Sequence, residues 1–150
     1  MNATRKRLII IASTILLFGV STFIARKSLR TALGLPETKV SHHANLAAVR
    51  KAGVIEQGWV PEILPAGSKD IQEIHVLDTN TSSGTFRFPS ADLDAFKAQA
   101  RQVAGAEVKE VSTITYVVYS RDSSRFELVL TPDPQKADAM VGVWGMKPIR

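Results

Sequence analysis

The chain has 150 residues, no cysteine and a formal charge of +5. The lack of cysteine excludes disulfides, thiolate metal sites and a cysteine nucleophile. Residues 1–30 hold six basic and no acidic residues, which leaves 13 of the 19 basic and all 14 acidic residues for residues 31–150. Because a nucleic-acid-binding domain needs a basic excess of its own, we predict no nucleic-acid partner.

Residues 8–25 form an uncharged apolar run, LIIIASTILLFGVSTFIA, with basic residues on both sides. A helix of this length spans about 27 Å, close to the hydrocarbon thickness of a bilayer. We predict a transmembrane signal anchor over residues 8–25, preceded by a basic flank over residues 1–7. Two alternatives are a secretory signal cleaved near Gly19 and Ser21, and a buried core helix.

The orientation of this anchor follows weakly from its flanks, which carry similar numbers of basic residues. A long C-terminal domain translocates largely regardless of its charge. We therefore predict a single-pass protein with a cytoplasmic N-terminus and an extracytoplasmic domain.

Residues 26–43 are predicted to be a juxtamembrane connector, and residues 44–150 a single domain. Residues 44–52 favour a short helix, with Gly53 as a left-handed cap. In the next segment Pro61 and Pro65 forbid a regular helix or a central strand.

That segment is nevertheless too apolar to remain in water. We expect it to pack on the core as an irregular stretch, with Trp59 inserted against the sheet or the main helix.

Residues 71–78 and 85–88 are predicted to form a hairpin with a loop over residues 79–84. In its first strand Ile74 and Val76 are expected to face the core. Ser90 is expected to cap the next helix.

The helix covers residues 91–104 and carries an apolar stripe. Three strands follow, over residues 112–119, 125–131 and 139–146, and Gly142 and Gly145 in the last are expected to permit close packing over Trp144. The order β-β-α-β-β-β predicts an α+β fold, a small antiparallel sheet covered by one main helix.

No pattern in the sequence indicates a catalytic, cofactor or metal site. Adjacent His42 and His43 on an extended chain point to opposite sides and cannot easily chelate one ion. His75 and Glu73 are predicted to share the outward strand face, with Arg87 across from them, as a surface charge cluster.

One resemblance rests on the block Trp59-Val60-Pro61-x-x-Leu64-Pro65, followed by Asp70-Ile71, His75, Asp78-Thr79-Asn80 and Phe86-x-Phe88. The block, within residues 58–89, resembles a segment of small bacterial envelope proteins held by one helix or a lipid, which have no assigned activity. This chain lacks the cysteine of the lipid-anchored members. The resemblance implies a bacterial envelope location, here the inner membrane.

The leading hypothesis is a non-enzymatic, membrane-anchored envelope protein whose domain binds another protein. The expected contact residues lie in the proline-bounded segment and the following loop, namely Trp59, Pro61, Pro65, Asp78 and Asn80. The alternatives are a small-ligand or sensing domain, with Trp59, Trp144 and the tyrosines around a pocket, and a hydrolase that uses His75 with a carboxylate.

Overall fold

The computed structural model describes residues 34–149. The fold lies within one unit of the chain, Glu37–Arg150. The predicted anchor over residues 8–25 falls outside the described residues. Within residues 34–149, no helix is both long and apolar enough to cross a membrane.

The domain is built on one antiparallel sheet whose strands follow the spatial order β1-β2-β3-β7-β6-β5-β4. The strands are β1 (Thr38–Asn45), β2 (Lys69–Val76), β3 (Thr81–Pro89), β4 (Glu107–Val111), β5 (Ile114–Arg121), β6 (Ser124–Pro132) and β7 (Ala139–Pro148). Two helices accompany them, α1 (Leu46–Lys51) and α2 (Leu93–Gln102).

Both helices and the segment between α1 and β2 cover one face of the sheet, which we call the inner face. Phe96 of α2, Val49 of α1 and Val60 of the segment are buried in the same cluster as Phe86 and Trp144 of the sheet. Since strand side chains alternate between faces, the residues between those of the inner face lie on the other side. We call that side the outer face.

The α+β class predicted from the sequence agrees with this architecture, but two strands were missed. Residues 38–43, predicted to be connector, belong to β1, which pairs with β2 from Thr38↔Val76 to Asn45↔Lys69. The polar sequence TKVSHHAN has little alternation of its own, so its pairing partner makes it a strand. Likewise β4 is a short, largely charged edge strand that pairs only with β5 among the described strands.

The predicted loop over residues 79–84 is shorter in the structure. A 3₁₀ turn over Leu77–Thr79 is followed by Asn80 with φ 48°, and β3 begins at Thr81. Asparagine tolerates this left-handed conformation better than most residues. Four residues, 77–80, therefore reverse the chain where six were expected to do so.

Ser90 does not cap the main helix, contrary to prediction. It opens a 3₁₀ turn over Ser90–Asp92, and its backbone N–H donates to the carbonyl of Asp138. The helix begins three residues later, at Leu93, and Asp92 makes no side-chain capping bond to it. The carboxylate of Asp92 accepts a bond from the backbone N–H of Gly67 instead, at 2.9 Å.

The glycines of β7 have different roles. A Cβ on Gly142 would overlap the ring of Phe86, whereas a Cβ on Gly145 meets no atom within 4 Å. Trp144 lies instead against Gly84 of β3, its directly paired residue. The predicted packing of these glycines over Trp144 is therefore not found: Gly142 admits Phe86, and Gly145 admits no neighbour.

We expect Gly142→Ala to destabilise the fragment of residues 36–150 by about 1–3 kcal/mol, the usual cost of overpacking a core. Gly145→Ala is the matched control in the same strand. It should be neutral or slightly stabilising, because it adds no contact and reduces the freedom of the unfolded chain. Urea denaturation of the two variants measures both effects, and equal midpoints would contradict the packing of Phe86 on Gly142.

Candidate functional site

Glu73 and His75, which the sequence predicts on the outward face of β2, lie on the inner face, beneath the segment that precedes β2. Glu73 and His75 are 0% and 2% exposed, whereas Ile74 between them is 37% exposed. The predicted faces of β2 are therefore reversed. The sequence KDIQEIHV places one isoleucine on each face, so alternation alone does not decide which face is buried.

His75 lies in a row of directly paired residues, with Lys39 of β1 on one side and Ser82 of β3 on the other. Its Nε2 is 3.2 Å from Oδ1 of Asn80, the left-handed residue of the β2–β3 turn. Its Nδ1 is buried without a hydrogen-bond partner. The imidazole is thus held by the turn and not by a carboxylate.

Trp59 covers this row from the irregular segment. The centroid of its ring is 4.0 Å from that of His75, with the two planes inclined at 41°. Nζ of Lys39 lies 5.3 Å from the Trp59 ring centroid, within reach of a cation–π contact. The expected insertion against the sheet is found, although Trp59 remains half-buried.

The backbone of Trp59 is also attached to the sheet. Its carbonyl accepts a bond from Nε1 of Trp144 at 3.3 Å and another from the hydroxyl of Ser82. Pro61 and Pro65 are buried beyond it. Neither proline can contact a partner in the folded domain, so both must be removed from the predicted contact surface.

Glu73 is the most unusual side chain of the inner face. It is directly paired with Ser41 of β1 and Gly84 of β3, and neither of its carboxylate oxygens has a hydrogen-bond partner. Nε2 of His43 is likewise buried without a partner. Burying such groups without a partner costs about 1–3 kcal/mol each.

The predicted cluster of Glu73, His75 and Arg87 does not form. Arg87 alternates onto the outer side of β3, where its Nε donates to the Asp133 carboxylate at 3.1 Å. The backbone N–H of Gln135 lowers the pKa of Asp133, and Arg87 lowers it further. In the described part of the chain, no three histidine or carboxylate side chains are grouped closely enough to hold a metal ion.

Two predicted contact residues, Asp78 and Asn80, are exposed at the β2–β3 turn. Oδ2 of Asp78 accepts a bond from the backbone N–H of Glu37 at 2.9 Å, just before β1 begins. This turn therefore lies beside the point where the chain enters the domain.

The aromatic pocket proposed for a small ligand is not assembled. Trp144 and Tyr119 are each 1% exposed within the core, and Tyr116 lies on the outer face. Burial raises the pKa of the Tyr119 hydroxyl, and the Glu62 carboxylate adds to this effect.

A cavity of about 450 Å³ lies elsewhere, between α1 and the start of β2. Its lining includes Arg50, Ser68 and Lys69. It contains none of the predicted site residues.

Residues 37–87 match the family model of the YbbD head domain. The match covers about a third of the chain and includes β1, α1, β2 and most of β3. The matched region contains the half of the sheet that carries His75 and Glu73, and the segment that carries Trp59. The family is bacterial, in keeping with the expected likeness to small bacterial proteins. Searches of curated proteins and of solved structures gave no significant match.

A second surface, on the outer face of β4–β7, was missed by sequence reasoning. Within the described residues no helix covers it, yet Val143, Val129 and Tyr116 form one continuous row of paired residues across three strands. The apolar side chains of this surface, which we call the outer patch, are Val111, Ile114, Tyr116, Val118, Val129, Val141 and Val143.

The sequence does contain a signal for the outer patch. An antiparallel strand with one solvated face alternates apolar and polar residues, whereas a strand covered on both faces is apolar throughout. The run ITYVVY of β5 is of the second kind. Its outward residues are half-buried or exposed, and Val143 on β7 is 47% exposed.

We expect Trp59→Ala to lower the free energy of unfolding of the 36–150 fragment by about 2–3 kcal/mol. This is below the range of about 3–5 kcal/mol for emptying a fully buried aromatic site, because Trp59 is only half-buried. Trp59→Phe keeps a ring on His75 and should cost much less. A Trp59→Ala variant that melts within a degree or two of the parent would show that the ring does not secure the segment.

Glu73→Met should stabilise the same fragment at pH 7 by about 1–3 kcal/mol, since it replaces an unpartnered buried carboxylate with an apolar chain of similar length. The matched control is Glu107→Met, at an exposed position on edge strand β4, which should change stability by less than about 0.5 kcal/mol. Chemical denaturation gives both values. A large destabilisation by Glu73→Met would reveal a partner that satisfies the carboxylate.

Proposed function

We propose that this protein is a single-pass, membrane-anchored protein of the bacterial inner membrane, with a cytoplasmic N-terminus. Its extracytoplasmic domain binds another protein and has no enzymatic activity. The observation that carries this proposal is the outer patch, an apolar surface that no described residue covers. It lies on a sheet whose other face is packed beneath both helices and the segment that carries Trp59.

The outer patch suits a protein partner better than a small molecule. Small ligands are bound in concave sites that bury most of their surface, whereas the patch is a sheet face spread over four strands. Large apolar patches on soluble domains often mark interaction sites, and tyrosine is enriched at the centres of interfaces. Tyr116, 38% exposed beside Val129, fits the role of an anchor residue.

The charged residues beside the outer patch complete this arrangement. Glu127 on the same face forms ion pairs with Arg125 at 3.0 Å and with Lys147 at 3.4 Å. Exposed pairs of this kind contribute little to stability. They instead form the polar rim expected around an apolar interface centre.

The proposed contact surface, on β4–β7, differs from the one that the sequence predicts around Trp59 and the β2–β3 turn. Two of the five predicted residues are buried, and Trp59 is engaged with His75 and the sheet. Against the hydrolase alternative, His75 is buried and bonded to an amide. A general base needs a reachable proton and a suitable orienting group.

Site-specific photocrosslinking in living cells of the native bacterium tests the proposal. A benzoylphenylalanine at Tyr116 should give one covalent adduct with a different protein, and the same probe at Gln99, exposed on α2, should give none. Adding Val143→Lys to the Tyr116 probe should abolish the adduct, because it places a charge two strands away in the same row of the outer patch. The matched control Gln135→Lys, on an exposed loop, should leave the adduct unchanged.

Two outcomes would overturn the proposed function. One is the absence of any adduct from Tyr116 while the protein is folded and present at the normal level. The other is an adduct at twice the mass of the chain, which would make the outer patch a contact between two copies.

A further inference from the structure

We propose that β1 pairs edge to edge with β1 of a second copy of this chain, in an antiparallel register centred on His42. The pairing joins the two sheets into one and gives a homodimer. It uses residues 40–45 on the side of β1 away from β2, which we call the open edge. The outer patch, on β4–β7, takes no part in it.

One hydrogen bond shows which residues of β1 are bonded to β2. In an antiparallel ladder the bonds join directly opposite residues, and alternate residues of a strand direct their N–H and C=O groups to opposite sides. The backbone N–H of Leu77 donates to the carbonyl of Glu37 at 2.8 Å, and these two residues continue the register that starts at Thr38↔Val76. The odd-numbered residues of β1 therefore bond to β2.

The even-numbered residues of the open edge direct their backbone groups away from β2. These residues are Val40, His42 and Ala44. Among the described strands, β1 pairs with β2 alone, so no described strand lies on this side of it. A row of backbone donors and acceptors of this kind is a template for one more strand.

The two edges of the described sheet differ in their protection against such pairing. Natural edge strands are kept apart by short length, charged side chains, proline or bulges. The edge strand β4 has 5 residues, of which Glu107, Lys109 and Glu110 are charged. In contrast, β1 has 8 residues, and no Asp, Glu, Lys or Arg lies between Val40 and Asn45. The open edge of β1 is therefore the one suited to strand addition.

A second copy suits this edge better than an extended peptide of another protein. Peptides that add as strands are selected by pockets for their alternate side chains. The cavity between α1 and β2 includes no residue of β1 before Asn45, and no charge on the open edge selects an acidic or a basic peptide. A peptide also loses conformational entropy when it becomes a strand, whereas β1 of a second copy is already held extended by β2.

On the outer face, the proposed register brings apolar side chains together. With His42 of the two copies directly opposite each other, Val40 of one copy lies opposite Ala44 of the other. Val40 is 53% exposed and is paired on its other side with Ile74, which is also exposed. Directly opposite apolar side chains in a sheet stabilise the pairing. The second copy therefore covers part of an apolar pair that is open to water in the single chain.

On the inner face, the same register opposes polar groups without opposing like charges. Ser41 of one copy lies opposite His43 of the other, and both residues are half-buried in the single chain. Lys39, the charged residue of β1, lies opposite Asn45. The ammonium group of one copy therefore does not face that of the other, and β1 is complementary to itself on both faces.

The dimer is compatible with the proposed contact on the outer patch. Tyr116 on β5 lies five strand positions from β1. At about 4.8 Å per strand, the two Tyr116 side chains of the dimer are roughly 50 Å apart. A crosslinking probe at Tyr116 therefore does not join two copies paired through β1, so the two proposals fail separately.

Because the chain has no cysteine, a single introduced thiol reports the pairing directly. A disulfide needs Cα atoms about 4.4–6.8 Å apart, which directly opposite residues of an antiparallel pair provide. In the full-length protein, mild oxidation of His42→Cys should therefore give a disulfide-linked dimer. The matched control is Lys109→Cys on edge strand β4, which should give roughly tenfold less dimer because its thiols meet only by collision.

Two further cysteine variants test the register. Val40→Cys alone should give as little dimer as Lys109→Cys, because the register displaces Val40 from its own copy by four residues, about 13 Å. Coexpression of Val40→Cys with a differently tagged Ala44→Cys chain should restore the disulfide between the two chains. A dimer from Val40→Cys alone would overturn the register centred on His42.

Proline tests the backbone hydrogen bonds of the open edge. Val40→Pro, added to His42→Cys, removes one N–H that points away from β2 and should abolish the dimer, since an edge strand tolerates proline on its open side. Val40→Thr keeps the N–H and should preserve the dimer. Circular dichroism checks that both variants keep the fold.

Four outcomes would overturn the pairing of two copies through β1. They are equal disulfide yields at positions 42 and 109, no dimer from folded His42→Cys, a dimer that survives Val40→Pro, and a disulfide from position 42 to a different protein. The last outcome would assign the open edge to another partner.

Discussion

The domain depends on the attachment of Trp59 to four neighbouring strands. Its ring lies on His75 of β2 beneath the ammonium group of Lys39 of β1, and its carbonyl accepts bonds from Ser82 of β3 and Trp144 of β7. The segment around it has no ladder of backbone hydrogen bonds of its own, so these contacts and the burial of Val60, Ile63 and Leu64 hold it in place. Without it the polar half of the inner face would lie open to water.

That inner face is divided into two halves of different chemistry. Across β3, β7, β6 and β5 it is lined mainly by aromatic and aliphatic side chains, which supply the stabilising apolar burial. Across β1 and β2 it holds Glu73, His75 and His43, each with a buried polar atom that has no hydrogen-bond partner. In natural domains, buried polar groups without a hydrogen-bond partner tend to occur at functional or strained sites. This half of the face coincides with the region that resembles the YbbD head domain.

The proposed contact surface lies away from the polar half of the inner face. The outer patch lies on β4–β7, beyond the region matched by the family model. A partner that recognises it would therefore recognise features outside the part shared with that family.

Much of the architecture was predictable from residue patterns. The strands β5, β6 and β7 are rich in β-branched and aromatic residues, and α2 carries a stripe at helical spacing, so local preference and tertiary structure agree. β1 and β4 were not predictable, because edge strands of polar or charged residues exist through pairing with a neighbour and not through their own alternation. The partition of charge along the chain and the uncharged run at residues 8–25 are likewise evident from the sequence alone.

The alternation of β6 predicts its buried face, with Phe126, Leu128 and Leu130 inward, but tertiary structure decided the buried face where both faces are similarly apolar. In β2 the two isoleucines stand on opposite faces, and the segment carrying Trp59 selected the face of His75 and Glu73 for burial. On β5 and β7 both faces carry apolar side chains, so only the position of the helices shows which face no described helix covers. By itself the sequence determined most of the helices and strands and their order along the chain. Pairing and coverage determined their faces, because the alternation of a strand has two solutions until a neighbour packs against one of them.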